Sequence, residues 1–358
     1  MTVWFYSGWS LKTDYRCHAL LYLSTMMILF MSCSVIDEDL SDCGEQAKVD
    51  YDLRLVTNMT TELQTELTTQ TDVQLANALR QHLSDIFTDF AHDVDLSFYD
   101  TFGDSALLKK DQHIMDANQA SYTLNLPMRQ YMHLAAANVV DNDIVTIAND
   151  NYCHRSMLSQ VTRDTIDSHS TGLFTARQPM EVLGDVSQNF NVHLYMANCA
   201  AALVIDPQGH DTSRVRVFST GFATGFNICD STYQYSAHPP VVRTATVALK
   251  DNSGVAYSSV TFPSREPASA TRTIIETTEP FIAQPGEEAL WEFRVYVPQP
   301  NGTITETILG IKEPLRPGQL KIIKVRMGDD GEIESEAPEV GVSVTLDWKP
   351  GGIYTPEF

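Results

Sequence analysis

The sequence predicts a mostly β protein built as two tandem β-sandwich domains, with one long helix in the N-terminal domain. Three observations lead to this fold class. Apolar and polar residues alternate along much of the chain, which is the pattern of half-buried strands. One stretch, residues 72–91, changes to helical periodicity. Alternation then restarts at Phe190 and recurs at intervals of about 8–12 residues, which is typical of β-sandwiches.

Composition sets the class of protein and excludes one class of partner. The chain has 358 residues, of which 43% are hydrophobic, so it is long and apolar enough for roughly two folded domains. Its formal net charge is −22. Because such a charge repels phosphate backbones, we expect no nucleic-acid partner.

The first element is a secretory signal, residues 1–32. Lys12 and Arg16 precede an uncharged apolar run, residues 19–32, and the small residue Ser32 ends it. The run is shorter than the roughly 20 residues that span a bilayer. The sequence therefore predicts an export signal and not a membrane helix.

The second element is a linker, residues 33–47, that begins at Cys33. The pair Ser32-Cys33 resembles the lipobox of bacterial lipoproteins, in which the cysteine carries acyl chains and begins the mature protein. The acidic residues after it resemble the signal that exports lipoproteins of Bacteroides-type bacteria to the outer face of the outer membrane. The alternatives are a simple signal followed by a disulfide cysteine, and acids that form only a solvated linker. The expected location is the cell outer membrane, lipid-anchored and surface-exposed.

The N-terminal domain is expected over residues 48–186. It opens with KVDYDLRLV, in which Val49, Tyr51, Leu53 and Leu55 share one face. The helix follows, with Asp72 as its cap and an apolar stripe that runs to Phe90. Further strands are predicted at VDLSFYD, ASYTLNLP and QYMHLAAANV. Residues 141–172 are polar and irregular, so we expect a long loop there with a short helix, and more strand after it.

The C-terminal domain is expected over residues 187–358. Its long first run is FNVHLYMANCAAALVID, and the remaining predicted strands are RVRVFST, RTATVALK, VAYSSVTF, TRTIIET, LWEFRVYVPQ, TITETILGI, QLKIIKVRM and VSVTLDW. Asn301-Gly302 and the segment 328–332 predict hairpin turns.

Four cysteines beyond the linker's first residue are candidates for disulfides: Cys43, Cys153, Cys199 and Cys229. Export permits disulfides, and four cysteines allow three connectivities. If each bond stays within one half of the chain, Cys43 pairs with Cys153 and Cys199 with Cys229. Free buried thiols are the alternative for the second pair.

No pattern in the sequence indicates a catalytic centre or a cofactor. His133 and His193 lie in strand patterns, where a packed or hydrogen-bonded histidine is more common than a metal ligand. Two oxygen-rich segments, residues 141–151 and 329–332, could suit calcium, but Asn and Asp also favour turns. The sequence predicts no enzyme, no metal and no cofactor.

The whole chain after Cys33 resembles a known family. The segment CSVIDEDLSDC, then SFYD followed by a strand ending in AAANV, and finally VSVTLDWKPG resemble the fimbrial anchor and minor-subunit lipoproteins of type V pili, the FimB-like proteins of Bacteroides-type bacteria. The resemblance implies transthyretin-like sandwiches, a lipid on Cys33 that binds the bilayer, and β-strand exchange with stalk or accessory subunits. It implies a pilus anchor or terminal subunit that supports adhesion.

The C-terminal tail indicates where the chain stands in such an assembly. After VSVTLDW, residues 349–358 contain two prolines and two glycines, which are unfavourable in an inserted strand. We therefore expect a subunit that does not donate its C-terminus. A frayed terminus would have the same sequence.

The alternative function is a surface lipoprotein that binds glycans. Such proteins use exposed aromatic side chains, but Trp291 and Trp348 lie in alternating strands, where core packing is the expected use.

Overall fold

The computed structural model describes residues 46–56, 73–87, 91–102, 106–114, 121–140, 142–184, 186–249, 254–266, 289–335 and 340–348, with the backbone alone for 340–348. The signal, residues 33–45 of the predicted linker, the predicted strand TRTIIET and the tail lie outside them, while residues 46–47 of the linker belong to the first strand. The compact unit that the structure describes begins at Ala47 and runs to the end of the chain.

The described residues are mostly strand, as predicted, with one α-helix among them, α1 (Val73–Ile86). The strands in chain order are β1 (Gln46–Val56), β2 (Val94–Asp100), β3 (Leu107–Ile114), β4 (Ser121–Pro127), β5 (Gln130–Ala137), β6 (Val145–Ala148), β7 (Met157–Gln160), β8 (Thr165–Asp167), β9 (Phe174–Glu181), β10 (Gln188–Met196), β11 (Cys199–Asp206), β12 (Arg216–Thr220), β13 (Gly225–Asn227), β14 (Thr232–Gln234), β15 (Val241–Arg243), β16 (Ala245–Ala248), β17 (Val255–Thr261), β18 (Trp291–Pro298), β19 (Ile304–Ile311), β20 (Leu320–Met327), β21 (Ile333–Glu334) and β22 (Val340–Trp348).

The strands form four sheets. The largest has seven strands in the order β3-β2-β5-β9-β10-β1-β4, and a four-stranded sheet has the order β14-β13-β7-β6. A five-stranded sheet has the order β16-β17-β11-β20-β21, and a six-stranded sheet has the order β22-β19-β18-β12-β15-β8. These sheets agree with the predicted β-sandwich class. The transthyretin-like topology stays a prediction.

Three hydrophobic cores hold the sheets together. In the first core, one face of the seven-stranded sheet and helix α1 pack with one face of the five-stranded sheet, through residues that include Leu79, Phe98, Leu194 and Ala202. The second core lies between the five-stranded and six-stranded sheets and contains Trp291. The third joins the outer face of β2 and β5 to the four-stranded sheet. Each fully buried large side chain contributes about 1.5–3 kcal/mol.

The run CAAALVI in β11 is continuously apolar because both faces of its sheet are covered. Ala200, Ala202 and Val204 face the first core, while Cys199, Ala201, Leu203 and Ile205 face the second. β11 also runs parallel to β20. Burial on both faces removes the polar residues that would otherwise alternate along a strand.

Helix α1 is shorter than the predicted range 72–91, and its apolar stripe is buried as expected. Leu75, Leu79 and Leu83 are buried, and Phe87 beyond its end packs against Gly172. The predicted cap Asp72 and Phe90 lie outside the described residues. Leu75 approaches Gly254, which leads into β17, so the helix contacts a strand of the second half of the chain.

The predicted loop at residues 141–172 is wrong in part, because it holds the strands β6, β7 and β8, while the short helix expected there is present as a 3-10 helix (Cys153–Arg155). These strands have only three or four residues, too few to show alternation. Two of them have partners that are distant in sequence, since β7 pairs with β13 and β8 pairs with β15. Strand β3 was also not predicted, because its residues are exposed or half-buried throughout.

Two predicted runs are each divided between sheets. FNVHLYMANCAAALVID breaks at Ala197 and Asn198, and buried Asn198 stabilises the corner, with its Nδ2 donating to Thr171 O at 3.0 Å and its Oδ1 accepting from Leu173 N at 3.1 Å. RTATVALK breaks at Thr244, whose hydroxyl donates to Val217 O. Both predicted hairpin turns are confirmed, between β18 and β19 and between β20 and β21.

Strand pairings cross the predicted division at residue 187. β10 pairs in parallel with β1, over the register from Val49↔Gln188 to Val56↔Tyr195. β6, β7 and β8 all precede the division and join sheets that otherwise contain later strands. The division at residue 187 stays a prediction, and the pairings put the change of sheet at Ala197 and Asn198.

The two edge strands of the seven-stranded sheet, β3 and β4, are consecutive in the chain and lie close together. Lys110 Nζ on β3 donates to Asn125 O on β4 at 2.7 Å. Lys110 lies opposite Phe98 in the β2–β3 register, so it shares the face of the sheet that covers the first core. An inward-pointing lysine at a sheet edge hinders pairing with another chain.

Candidate functional site

The structure does not test the predicted lipid site. Cys33 and Cys43 lie outside the described residues, so lipidation stays a prediction. Among the described residues, no helix is long and apolar enough to cross a bilayer.

The predicted cysteine pairing is wrong. Cys153 is bonded to Cys229, with 5.8 Å between their Cα atoms, and Cys199 is a free, buried thiol. The pairing crosses the halves of the chain because β7 pairs with β13, which brings the residues around 153 and 229 together. Cys199 Sγ donates to Thr261 O at 3.3 Å, and burial raises the pKa of its thiol well above the usual value. The alternative of a free buried thiol is thus correct for Cys199.

The oxygen-rich segments serve as turns. Asn142 Oδ1 accepts hydrogen bonds from Ile144 N at 2.9 Å and Val145 N at 2.8 Å. Asp150 accepts one from Tyr152 N, and Glu332 accepts one from Asp330 N. In the described part of the chain, no group of three or more His, Cys, Asp or Glu side chains could hold a metal ion. Asp141 lies outside that part.

His133 is a packed histidine, as predicted. It is fully buried and stacks on Phe98, with 4.4 Å between ring centroids. Its Nδ1 donates to Ser97 O at 3.0 Å, which leaves Nε2 to accept from the hydroxyl of Tyr51. Desolvation lowers the pKa of His133 to about 4, so the ring is neutral at pH 7. His193, in contrast, is exposed on β10.

Trp291 is a core residue, as expected for a tryptophan in an alternating strand. It is fully buried, packs against Phe222 and Phe293, and donates from Nε1 to Glu313 O at 2.9 Å. The structure describes only the backbone of Trp348, so the use of its side chain stays a prediction.

A cavity of about 770 Å³ opens beside the ends of β9 and β10. The β13–β14 hairpin forms a second wall, and residues 263–266 and 316–317 form a third. Its size is within the range of small-molecule sites in proteins, about 300–1,000 Å³.

Three tyrosines line the cavity: Tyr195, Tyr233 and the buried Tyr235. Tyr195 projects from the end of β10 and is 59% exposed. Tyr233 on β14 packs against Phe226, with 4.6 Å between ring centroids, and its hydroxyl donates to Ala197 O at 2.7 Å. The orientation of the Tyr233 ring is therefore fixed.

Polar side chains surround these rings. Arg177 on β9 and Asp230 in the hairpin are exposed. Arg316 forms a bidentate ion pair with Glu266, at 2.7 Å from Nε and 3.1 Å from Nη2. Thr175, Ser231 and Thr232 add hydroxyl groups. The cavity therefore combines aromatic surface with donors and acceptors of both charges.

The walls of the cavity are held by bonds outside it. Cys229 in the hairpin is tied to Cys153, Asn227 Nδ2 donates to His154 O at 2.7 Å, and Ile228 N donates to Ser156 O at 3.1 Å. On the other side, Tyr235 donates to Ser264 O at 2.8 Å. The cavity is thus preformed.

The sequence analysis did not find the cavity. Its residues come from segments spread between 175 and 317, and strand alternation does not show which of them meet. The one local signal is Tyr195, an aromatic residue at a polar position of the β10 alternation.

The end strands of the described chain are both engaged in its own sheets. β22 pairs with β19 from Ile311↔Val340 to Ile304↔Trp348. β1 lies between β10 and β4, and its Val49 and Tyr51 are fully buried.

No protein-family model matches this chain, and no curated protein matches it. Among solved structures it is similar to a proposed adhesin from Bacteroides ovatus, at 13% identity and a TM-score of 0.50, over 86% of this chain and 98% of that one. It is also similar to proposed polysaccharide-binding proteins from Bacteroides thetaiotaomicron, at 10% identity and a TM-score of 0.48, over 82% of this chain and 99% of that one. A third is the fimbrial anchor protein Mfa2 from Porphyromonas gingivalis, at 10% identity and a TM-score of 0.45, over 84% of this chain and 99% of that one.

Of these structures, the first and third are of an adhesion protein and a fimbrial protein from Bacteroides-type bacteria, as the sequence resemblance predicts, and the second is of proposed polysaccharide-binding proteins. At such low sequence identities the similarity shows the fold alone. The Bacteroides ovatus structure, with its TM-score of 0.50, is the one that supports it. The chain has the fold of that proposed adhesin.

Proposed function

We propose that this chain is an outer-membrane lipoprotein that serves as the anchor or another terminal subunit of a fimbria and supports adhesion. Acyl chains on Cys33 hold it in the bilayer, and it joins stalk or accessory subunits by β-strand exchange. It acts by binding and not by catalysis. The observation that carries the proposal is that β22, the last strand among the described residues, is paired within its own sheet.

A donor subunit must offer a strand to the sheet of its neighbour. In this chain β22 bonds to β19 along its length, so donating it would break that ladder and expose the edge of β19. The residues beyond it, with Pro350, Gly351, Gly352 and Pro356, are poor strand formers. Both facts support a subunit that ends the exchange.

The position of the N-terminal strand also supports a terminal subunit. β1 fills an interior position of the seven-stranded sheet, with hydrogen-bonded neighbours on both sides. Its start at Gln46 lies close in sequence to Cys33. A chain tethered there has its fold next to the membrane, at the base of whatever it joins.

A deletion of residues 350–358 in the native host tests whether the C-terminal tail joins this chain to the fimbria. Fimbriae should still assemble and stay attached, as seen by electron microscopy and by stalk protein in the cell fraction. The matched comparison removes residues 340–358, which includes β22 and should destabilise the fold. If the shorter deletion releases fimbriae while the protein stays folded and membrane-bound, the tail is the joint and the proposal is wrong.

A further inference from the structure

We infer that the cavity between β9, β10 and the β13–β14 hairpin binds carbohydrate, the end of a neutral oligosaccharide. The inference rests on the proposed function only in that the cavity must face the medium at a cell surface. Its argument is the chemistry of the cavity itself.

The aromatic surface favours a ligand with flat apolar faces. The rings of Tyr195 and Tyr233 are large, amphipathic and rigid, so contact with them costs little side-chain entropy. A pyranose ring presents C–H groups on its faces and hydroxyl groups around its rim. Tyrosine can therefore cover a face of the sugar, while neighbouring side chains reach its rim.

The polar groups match the rim of a sugar. Vicinal hydroxyl groups both donate and accept, and Arg177, Asp230 and the Arg316–Glu266 pair provide planar donors and acceptors of both kinds. A purely apolar ligand would leave these groups desolvated without partners, at a cost for each. Polar, hydroxyl-rich ligands avoid that cost.

The charges favour a neutral glycan over an anionic one. Arg316 is already paired with Glu266, and Arg177 is the second cation in the wall. Asp230 lies in the opposite wall, and the chain as a whole carries a net charge of −22. Sulfated or sialylated sugars would meet net repulsion.

The rigidity of the walls favours binding as well. A site that is formed before its ligand arrives spends less free energy on ordering. The disulfide Cys153–Cys229 and the bonds of Asn227 and Ile228 fix the hairpin wall. The same hairpin packs in the third core through Phe226 and Ile228, which holds the wall in place from behind.

The test uses the purified whole chain on an array of neutral oligosaccharides of hexoses and N-acetylhexosamines, with sulfated and sialylated glycans as a second set. Hits are measured by isothermal titration calorimetry. At least one neutral glycan should bind, and Tyr195→Ala should weaken that binding at least tenfold. The matched control is His193→Ala, an exposed residue two positions away on the same face of β10, which should change the affinity by less than twofold.

Three results would overturn the inference: no glycan bound at millimolar concentration, binding by the anionic set alone, or binding that Tyr195→Ala leaves unchanged. Capture of a fimbrial subunit that depends on Tyr195, without glycan binding, would make the cavity a protein-docking site and overturn it too. The assay needs no fimbria, so its outcome is independent of the proposed anchoring. Tyr195-dependent glycan binding in a chain that anchors no fimbriae would overturn the proposed function and keep this inference.

Discussion

Some residues of this chain have the features of functional-site residues but serve the structure. His133 has a buried tyrosine partner and a strongly lowered pKa, yet it lies inside the first core, where no substrate can reach it. His169 is equally buried, and desolvation lowers its pKa to about 3. Both histidines are neutral in the folded state, which makes stability depend on pH.

The two histidines predict a loss of stability in acid. Their pKa values are about 6.5 unfolded and about 4 and 3 folded, so the unfolded state binds more protons below pH 6.5. Their contribution is complete above pH 6.5 and falls as the pH drops, by about 1.4 kcal/mol per pH unit for each histidine until the folded pKa is reached. Urea unfolding at pH 7, 6 and 5 measures this slope.

His133→Gln should remove about half of that histidine slope, while His193→Gln, at an exposed position, should leave it unchanged. The raised pKa values of Asp95 and Glu292 act in the opposite direction in both variants and the wild type, so the comparison cancels them. An unchanged slope in His133→Gln would contradict the conclusion that the buried, neutral His133 makes stability depend on pH.

Gly221 occupies a position that only glycine can fill without strain. Its φ is +103°, and an added Cβ would lie 2.7 Å from Trp291 Cα. Gly302 has a similar φ of +85° with nothing within 4 Å of an added Cβ. Gly302→Ala should cost about 1–2 kcal/mol from backbone strain, and Gly221→Ala about 1–3 kcal/mol more from the clash. If the two variants lose equal unfolding free energy, the backbone around Trp291 moves aside to relieve the clash, and the prediction is wrong.

At the scale of elements, local pattern located most of the long strands, though not the half-exposed β3, and it did not identify their partners. Alternation located β1, β2 and the strands from β17 to β20, and leucine spacing located α1. Nothing local shows that β1 pairs with β10 or that β8 pairs with β15. Short strands such as β7 exist because a distant strand pairs with them. The cavity depends on the same long-range pairings.

The disulfide tests these long-range pairings. Peptide mapping without reduction should link Cys153 to Cys229, and Cys199 should react with thiol reagents only after unfolding, because it is buried. Replacing both Cys153 and Cys229 with Ala should lower the unfolding free energy by about 4 kcal/mol, from the large loop that the bond closes. Cys199→Ala should cost about 1 kcal/mol. A bond between Cys199 and Cys229 would contradict the structure.

On the scale of the whole molecule, the chain combines closed strand ladders with a strongly acidic charge. Both of its described end strands are used in its own sheets, and Lys110 bridges the two edges of the largest sheet. A net charge of −22 opposes self-association and contact with anionic headgroups.

The central claim is that Cys33 fixes this subunit, and through it a fimbria, to the outer membrane. One methylene buried in the bilayer contributes about 0.8 kcal/mol, and two or more acyl chains hold a protein stably. The direct measurement is fractionation of the native host carrying Cys33→Ala, with Cys199→Ala as the control for loss of a cysteine. The account predicts that Cys33→Ala moves the protein out of the membrane fraction and releases fimbriae into the medium, while Cys199→Ala does neither. A Cys33→Ala protein that stays in the membrane at wild-type levels, with fimbriae still on the cells, would contradict it.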